Sequence, residues 1–266
     1  GQGHHRPGDR QRRRHQPAAQ HGPAGREHLH GRGGGLSVRH RGRHAVERHL
    51  MALRVAILGA NGFLGGELVR LLSAHPEVEI TVRTAGRSAG ADLSDVRPSL
   101  AGPADGPLES FDAPSIAARA EVAMLALPHG ESARAAETLL AEGVKVIDLG
   151  SDFRLPDPAE HQRWYGREAE ALSVRDEAVY CLPELTGGPP AEARLVANPG
   201  CFATALSLLL APIAADLGQD APLAVFGVTG STGSGVRPSA GVHHSLRVNS
   251  FVSYKPLVHQ HVGEVR

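Results

Sequence analysis

The chain has 266 residues with 28 basic and 28 acidic side chains, and this neutral sum hides a partition. Residues 1–50 hold 11 Arg, no Lys, 9 of the 16 His and 3 acidic groups, so a tail of net charge +8 precedes a body of −8. The tail has no aromatic residue to stack on a base, which weighs against a nucleic-acid arm. Without apolar periodicity it cannot bury enough surface to offset its ordering entropy, so residues 1–50 are expected to be a disordered basic tail. Their Arg/Gly/His bias without lysine reads as upstream sequence of a GC-rich genome rather than native coding sequence, with Met51 as the start. The chain holds two cysteines and no apolar run of 18 residues, and residues 1–20 lack a signal-peptide core. A cytoplasmic protein without membrane attachment is expected.

Leu53 to Leu58 is a short apolar run, expected as a buried parallel strand. It feeds into Gly59-Ala-Asn-Gly62-Phe-Leu-Gly65-Gly66, and Glu67 to Ala74 then shows helical periodicity. Strand, glycine turn and helix in that order form a dinucleotide-binding arrangement. The glycines let the backbone approach a pyrophosphate, whose charge lies at the helix N-terminus. Gly59, Asn61, Gly62, Phe63, Leu64 and Gly65 are the cofactor-binding candidates of this turn. Val78 to Arg83 reads as the second strand, ending near the adenosine ribose. A cofactor without a 2′-phosphate usually meets an acid there. Here Arg83-Thr84-Ala-Gly86-Arg87-Ser88 offers cations and hydroxyls, with no acid before Asp92. NADP(H) is therefore expected over NAD, held by Thr84, Gly86, Arg87 and Ser88, with Arg83 as a further cation.

Arg97 to Pro107 reads as a loop. Glu121 to Leu127 is an expected strand, followed by Pro128-His129-Gly130 and a helix from Glu131 to Glu142. Val144 to Leu149 is the next strand, ending in Gly150-Ser151-Asp152-Phe153-Arg154. Ligands of open α/β sheets gather at the carboxyl ends of strands. That adds Pro128 to the cofactor site, bordered by Gly130 and Ser151, while His129 reads as a loop residue without chemistry. Gly187 to Pro190 is a second loop.

Cys201 stands in Ala-Asn-Pro-Gly-Cys-Phe-Ala-Thr, and Ala205 to Leu217 beyond it has the spacing of a buried helix. Pro199 and Gly200 place the thiol at the first helical turn, where the helix dipole and unpaired N–H groups favour thiolate. Near the end stand His259-Gln260-His261 and Glu264. An extended backbone there puts both imidazoles on one face. They lack a third convincing ligand, so no metal is expected. An imidazole beside a thiolate serves better as general acid–base.

Six motifs then occur in order: Gly59 to Glu67, Ala126 to Gly130, Asp148 to Leu155, Leu182 to Leu185, the Cys201 run, and Tyr254-Lys255 with His259, His261 and Glu264. Together they resemble the N-acetyl-γ-glutamyl-phosphate reductase family of arginine biosynthesis. The closely similar reductases of carrier-protein-linked aminoadipyl phosphate, from lysine biosynthesis, match as well. The resemblance covers Met51 to Arg266. It implies an α/β fold in which an NADP-binding Rossmann domain (51–198) precedes an α+β catalytic domain of semialdehyde-dehydrogenase type (199–266). The family continues beyond this last motif, so the second domain is expected to be partial. The implied chemistry is NADPH-dependent reduction of an acyl phosphate through a Cys201 thioester, with His261 as acid–base and His259 able to exchange with it. Arg154, Arg237 and Arg247 are candidates for the substrate's phosphate or carboxylate. The substrate is a small acyl phosphate or one carried on a small protein, and the full-length enzyme is a homo-oligomer. Cys181 stands where the family usually has glycine and reads as packing. The rival readings are an aspartate-semialdehyde dehydrogenase and a catalytically dead NADP-binding fragment.

Overall fold

Parallel strands flanked by helices give the molecule its core. In the computed structural model, residues 52–102, 104–170, 172–218 and 222–265 are described; the expectations for residues 1–50 and for the start at Met51 lie outside them. The strands are β1 (Leu53–Leu58), β2 (Val78–Thr84), β3 (Val122–Leu125), β4 (Lys145–Asp148), β5 (Ala178–Tyr180) and β6 (Leu195–Ala197). They form one sheet in the order β2-β1-β3-β4-β6-β5, and every neighbouring pair is parallel. The longer helices are α1 (Phe63–Leu72), α2 (Ser132–Ala141), α3 (Pro158–Tyr165) and α4 (Cys201–Leu210).

Why β1 reads as an unbroken apolar run is clear from its surroundings. Val55 and Ile57 join Val69 of α1, Leu93, Leu100 and Leu108 in one core cluster. Ala56 and Leu58 join Ala123, Leu125, Val146 and Leu195 with Ala136 and Leu139 of α2 in the other. Successive residues face opposite sides of a strand, and here both sides are covered. Neighbours β2 and β3 lie on either side of β1, so the chain reverses direction across the sheet at the β1/β3 boundary. Ligands of doubly wound sheets bind in the crevice at such a point.

Two helices differ from the sequence reading by several residues. Helix α1 starts at Phe63, four residues early, because the glycine turn itself enters the helix with Gly62 as N-cap. The helix after Pro199-Gly200 starts at Cys201 and ends at Leu210, continuing as a 3-10 stretch over Ala211–Asp216. It is not the buried helix its sequence suggests, since only Ala203 is buried and Leu209 is 61% exposed. Its apolar spacing reports helix, but burial needs a covering layer. Among the described residues, 222–265 contain no strand, only 3-10 turns and the four-residue helix His244–Arg247. Strands expected of an α+β domain are therefore not found in this stretch. No helix among the described residues is long and apolar enough to cross a membrane.

Candidate active site and cofactor cradle

At the end of β1 the backbone does what a nucleotide turn requires. Gly59 has φ +79, and a Cβ there would lie 2.4 Å from Ala126 O. A Cβ on Gly65 would lie 2.1 Å from Gly59 O, so only glycine lets α1 seat on the turn. Gly59 N and Ala60 N donate to Thr84 O, both at 3.0 Å, which ties the turn to the end of β2. Helix α1 has no side-chain cap at Gly62. Its first N–H groups are thus left for an anion. Phe63 and Leu64 open α1 and are partly exposed. These features fit a dinucleotide pyrophosphate.

The β2–loop candidates divide. Asn61 Nδ2 donates to Ser88 Oγ at 3.4 Å, bringing the glycine turn and the 84–88 loop together. Arg87 is exposed beside Gly86. Arg83 is corrected: it packs against Gly106, its Nη1 donates to Ile80 O at 3.5 Å, and it faces the Asp105 carboxylate. The Thr84 side chain is buried, so its role at the turn is its carbonyl. Pro128 is exposed at the end of β3, where its carbonyl accepts from Glu131 N at 3.0 Å. Beyond it, the N-terminus of α2 is already satisfied. The Asp152 carboxylate accepts from Gly130 N at 2.8 Å and from Ser132 N and Ala133 N at 3.1 Å.

The thiol sits at the end of β6. Asn198 N donates to Asp148 O at 2.8 Å, and Gly200 is the N-cap of α4 with no capping side chain of its own. Cys201 is the first residue of that helix, exposed and free. An imidazole supplies the missing cap, because Phe202 N donates to His261 Nδ1 at 3.3 Å. A Cβ on Gly200 would meet His261 Nε2 at 2.4 Å, so only glycine admits this ring. With Nδ1 accepting, the proton of neutral His261 resides on Nε2, 3.8 Å from Glu264 Oε1. The ring is buried, and burial first, against the opposing pull of Glu264, depresses its pKa to about 4.

The 259–264 segment is not extended, as the same-face reading required. It is a 3-10 turn over Gln260–Glu264, with His259 as its N-cap accepting from His261 N at 3.2 Å. The two imidazoles lie 4.6 Å apart, nearly perpendicular. His259 keeps Nε2 toward the Tyr254 hydroxyl at 3.4 Å. Burial and then Lys255 lower its pKa. Burial first, and then the nearby Cys201, raise the pKa of Tyr254.

Glu264 is the hub of the site. Its fully buried carboxylate accepts from Gly200 N at 2.8 Å, from Tyr180 OH at 3.1 Å and from Tyr165 OH, and it faces Arg154 Nη1 at 3.4 Å. Arg154 also donates to Asn198 O at 2.9 Å and Leu149 O at 2.8 Å. Buried and occupied in this way, Arg154 fastens the elbow of Asn198, Pro199 and Gly200 that leads into α4. Arg237 is exposed, 3.9 Å from Glu131 Oε1, and Arg247 lies in the short helix His244–Arg247. Neither is brought to the thiol by any contact among the described residues. Sequence reasoning missed Tyr165 and Tyr180. Their only signal is aromatic hydroxyls at the ends of α3 and β5, near strand carboxyl ends.

Two buried groups make opposite contributions to acid stability. His261 has a folded pKa of about 4 against 6.5, so the unfolded chain binds the extra proton and stability falls as pH drops from about 6.5 to 4. Asp148 is raised by burial to about 6 from 3.8, so its contribution falls as pH rises through about 4 to 6. Each is worth about 3 kcal/mol. Asp148→Asn keeps an oxygen for Gly150 N, bound at 2.8 Å. Its stability relative to the parent is expected to climb by about 3 kcal/mol between pH 4 and 6 and level off above. Urea unfolding of both proteins across that range checks it; a difference independent of pH would show Asp148 ionised throughout.

With this geometry in hand, comparison with known proteins is direct. A family description, "Semialdehyde dehydrogenase, NAD binding domain", matches residues 54–191, and "Semialdehyde dehydrogenase, dimerisation domain" matches residues 201–266. The chain belongs to the semialdehyde dehydrogenase family. It is 41% identical over 213 residues to the LysW-L-2-aminoadipate/LysW-L-glutamate phosphate reductase of Saccharolobus solfataricus, covering 80% of this chain and 60% of that protein. It is 38% identical over 214 residues to the N-acetyl-gamma-glutamyl-phosphate reductase of Desulforamulus reducens, covering 80% and 62%. With that of Acidothermus cellulolyticus it shares 41% over 219 residues, covering 81% and 62%. The chain thus spans about three fifths of the length of these curated relatives.

Proposed function

We propose that the protein is an NADPH-dependent acyl-phosphate reductase acting through a thioester on Cys201, with N-acetyl-γ-glutamyl phosphate as substrate. The observation that carries this reading is the exposed Cys201 thiol at the first residue of an internally capped helix, close enough to act on Tyr254, the hydrogen-bond partner of His259. The relatives of both reductase types support the reaction class. A carrier-protein-linked acyl phosphate is the second reading, favoured by the 41% identity to the LysW-dependent enzyme. The match to a dimerisation domain supports a homo-oligomer, and the lack of a spanning helix among the described residues is compatible with a cytoplasmic enzyme. The body from residue 51 divides at 198/199 into a cofactor half and a thiol half.

In this reading Cys201 attacks the acyl carbon, the carbon–oxygen bond to phosphate breaks, and a thioester forms. NADPH, when bound, supplies a hydride. His259 takes the thiol proton as the nucleophile forms, gives it to the carbonyl oxygen as the hydride arrives, and takes it back from the hemithioacetal hydroxyl, so that the carbon–sulfur bond breaks, the semialdehyde leaves and Cys201 departs as thiolate. Its lowered pKa keeps it neutral and ready to accept at neutral pH. His261 instead holds the elbow, since its Nδ1 is committed to Phe202 N. The two imidazoles therefore exchange the roles expected from sequence.

The test follows phosphate release and NADPH oxidation with each acyl phosphate, together with intact mass of the acylated protein. A thioester adduct that maps to Cys201 is expected; turnover without any such adduct would sink the mechanism. The NADP preference has a separate check. Arg87→Glu should weaken NADPH roughly tenfold or more, as expected for losing a charge-assisted bond, and NADH far less. Equal losses for the two cofactors would remove Arg87 from the 2′-phosphate.

A further inference from the structure

The 92–100 segment reaches back to the glycine turn. The backbone of Arg97 is held between two buried leucines, Leu93 and Leu100, both packed with Val69 of α1. Its N–H donates to Leu93 O at 2.7 Å, and its carbonyl accepts from Leu100 N at 2.9 Å. Pro98 follows, which disfavours the helical conformation at Arg97 and ends the Leu93–Val96 turn there. Fixed in this way, the side chain extends over the start of α1. Its Nη1 donates to Gly62 O at 2.8 Å and to Asn61 O at 3.5 Å. The guanidinium lies over the Phe63 ring, 5.1 Å from its centroid. It reaches as far as Gly66, where a Cβ would touch Cζ and Nη1 at 3.4 Å.

We propose that Arg97 is a positioning residue of the dinucleotide site, clamping the glycine turn so that its amides face the pyrophosphate. The proposal rests on the glycine turn holding a dinucleotide. The physical reason lies in the turn's composition. Glycines give the backbone its close approach but leave it many accessible conformations, and ordering it on binding costs affinity. No side chain caps α1. A guanidinium is planar, permanently charged and able to stack on an aromatic face while it donates hydrogen bonds. Bound to the carbonyls of Asn61 and Gly62, it turns those oxygens away from the anion and holds the N–H groups toward it. It also places a positive charge within one helical turn of the pyrophosphate position. Arg97 thereby sets the affinity for both forms of the cofactor, and discrimination between them is left to the 84–88 loop.

Equilibrium titration of the whole chain with NADPH and NADH tests this, with urea unfolding as a control on the fold. Arg97→Met should weaken both cofactors by the same factor, roughly tenfold, with an unchanged unfolding midpoint. Phe63→Leu keeps the cation but removes its stacking face, and should shift both affinities in the same direction by a smaller factor. Arg97→Lys should restore part of the loss, because it keeps charge and a donor without the planar fork. Unchanged affinities in a folded Arg97→Met protein would overturn the proposal. A loss confined to NADPH would overturn it too, by making Arg97 a ligand of the 2′-phosphate. Should Arg97→Met fail to fold, Arg97→Lys decides alone: equal partial losses for both cofactors support the clamp, and unchanged affinities or a loss confined to NADPH overturn it. A parent chain that binds neither cofactor would refute the dinucleotide reading itself, and this clamp with it.

Discussion

Cys201→Ser is expected to abolish the proposed acyl-phosphate reduction and to leave NADPH affinity within error of the parent. The thiol stands at the first residue of α4, while the glycine turn and α1 stand at the end of β1, so the substitution leaves the cofactor cradle untouched. A hydroxyl is a weak nucleophile unless a dedicated base activates it. The nearer imidazole of the elbow is spent on Phe202 N, which leaves His259 as the only histidine of the pair with an outward ring nitrogen. His259→Ala should then cost about 10² to 10⁴ in rate. The acid limb of kcat/KM should lie below pH 6.5, because burial and Lys255 lower the pKa of His259. His261→Asn keeps an acceptor for Phe202 N and should cost much less. Steady-state rates with paired cofactor titrations check all three variants. A His261→Asn enzyme as impaired as His259→Ala, with intact stability, would reverse the assignment of the imidazoles.

Glu264→Ala is expected to lower stability by about 3 to 5 kcal/mol, the cost of leaving a buried charge partner uncompensated. Its carboxylate serves two tyrosine hydroxyls, the Gly200 N–H and the buried Arg154 guanidinium. Glu264→Gln retains an acceptor and the side-chain shape, so its loss should be smaller, while Arg154 still lacks its counter-charge. Arg154→Met in the Glu264→Ala background should recover part of the stability, because both ends of the pair are then apolar. Denaturant unfolding of the single and double variants gives the coupling directly. Additive losses would mean that the two side chains do not act as a pair.

Much of this architecture was legible from local pattern. The apolar run at 53–58, the glycines at 59, 62 and 65, and the absence of an acid after β2 are signals within a dozen residues, and the sheet places them as expected. Cys201 at a helix start was equally readable, because Pro199 and Gly200 leave few alternatives for the backbone. Local pattern failed where partners come from afar. Arg154 looked like a free cation because Glu264, Tyr165 and the carbonyls it satisfies are set by topology. Arg83 looked like a phosphate ligand because nothing in β2 itself shows Gly106 and Asp105 alongside. An extended segment leaves the two histidines equivalent. A 3-10 turn rotates one into the elbow and leaves the other outside.

The separation of Glu264 from its partners also sets an order of assembly. Gly200 meets it across 64 residues, Tyr180 across 84 and Arg154 across 110. Contacts of that span close late, because the chain between must first be organised. Synthesis proceeds from the amino end and domains fold as units, so the sheet can form while residue 264 has yet to be made. During that interval Gly200 N has no carboxylate and Phe202 N no imidazole, and the first turn of α4 is loosely held. The sheet and its glycine turn are thus built before the first turn of α4 is fastened. A nascent chain therefore has the glycine turn after β1 in place while the helix start at Cys201 still awaits the 259–264 turn.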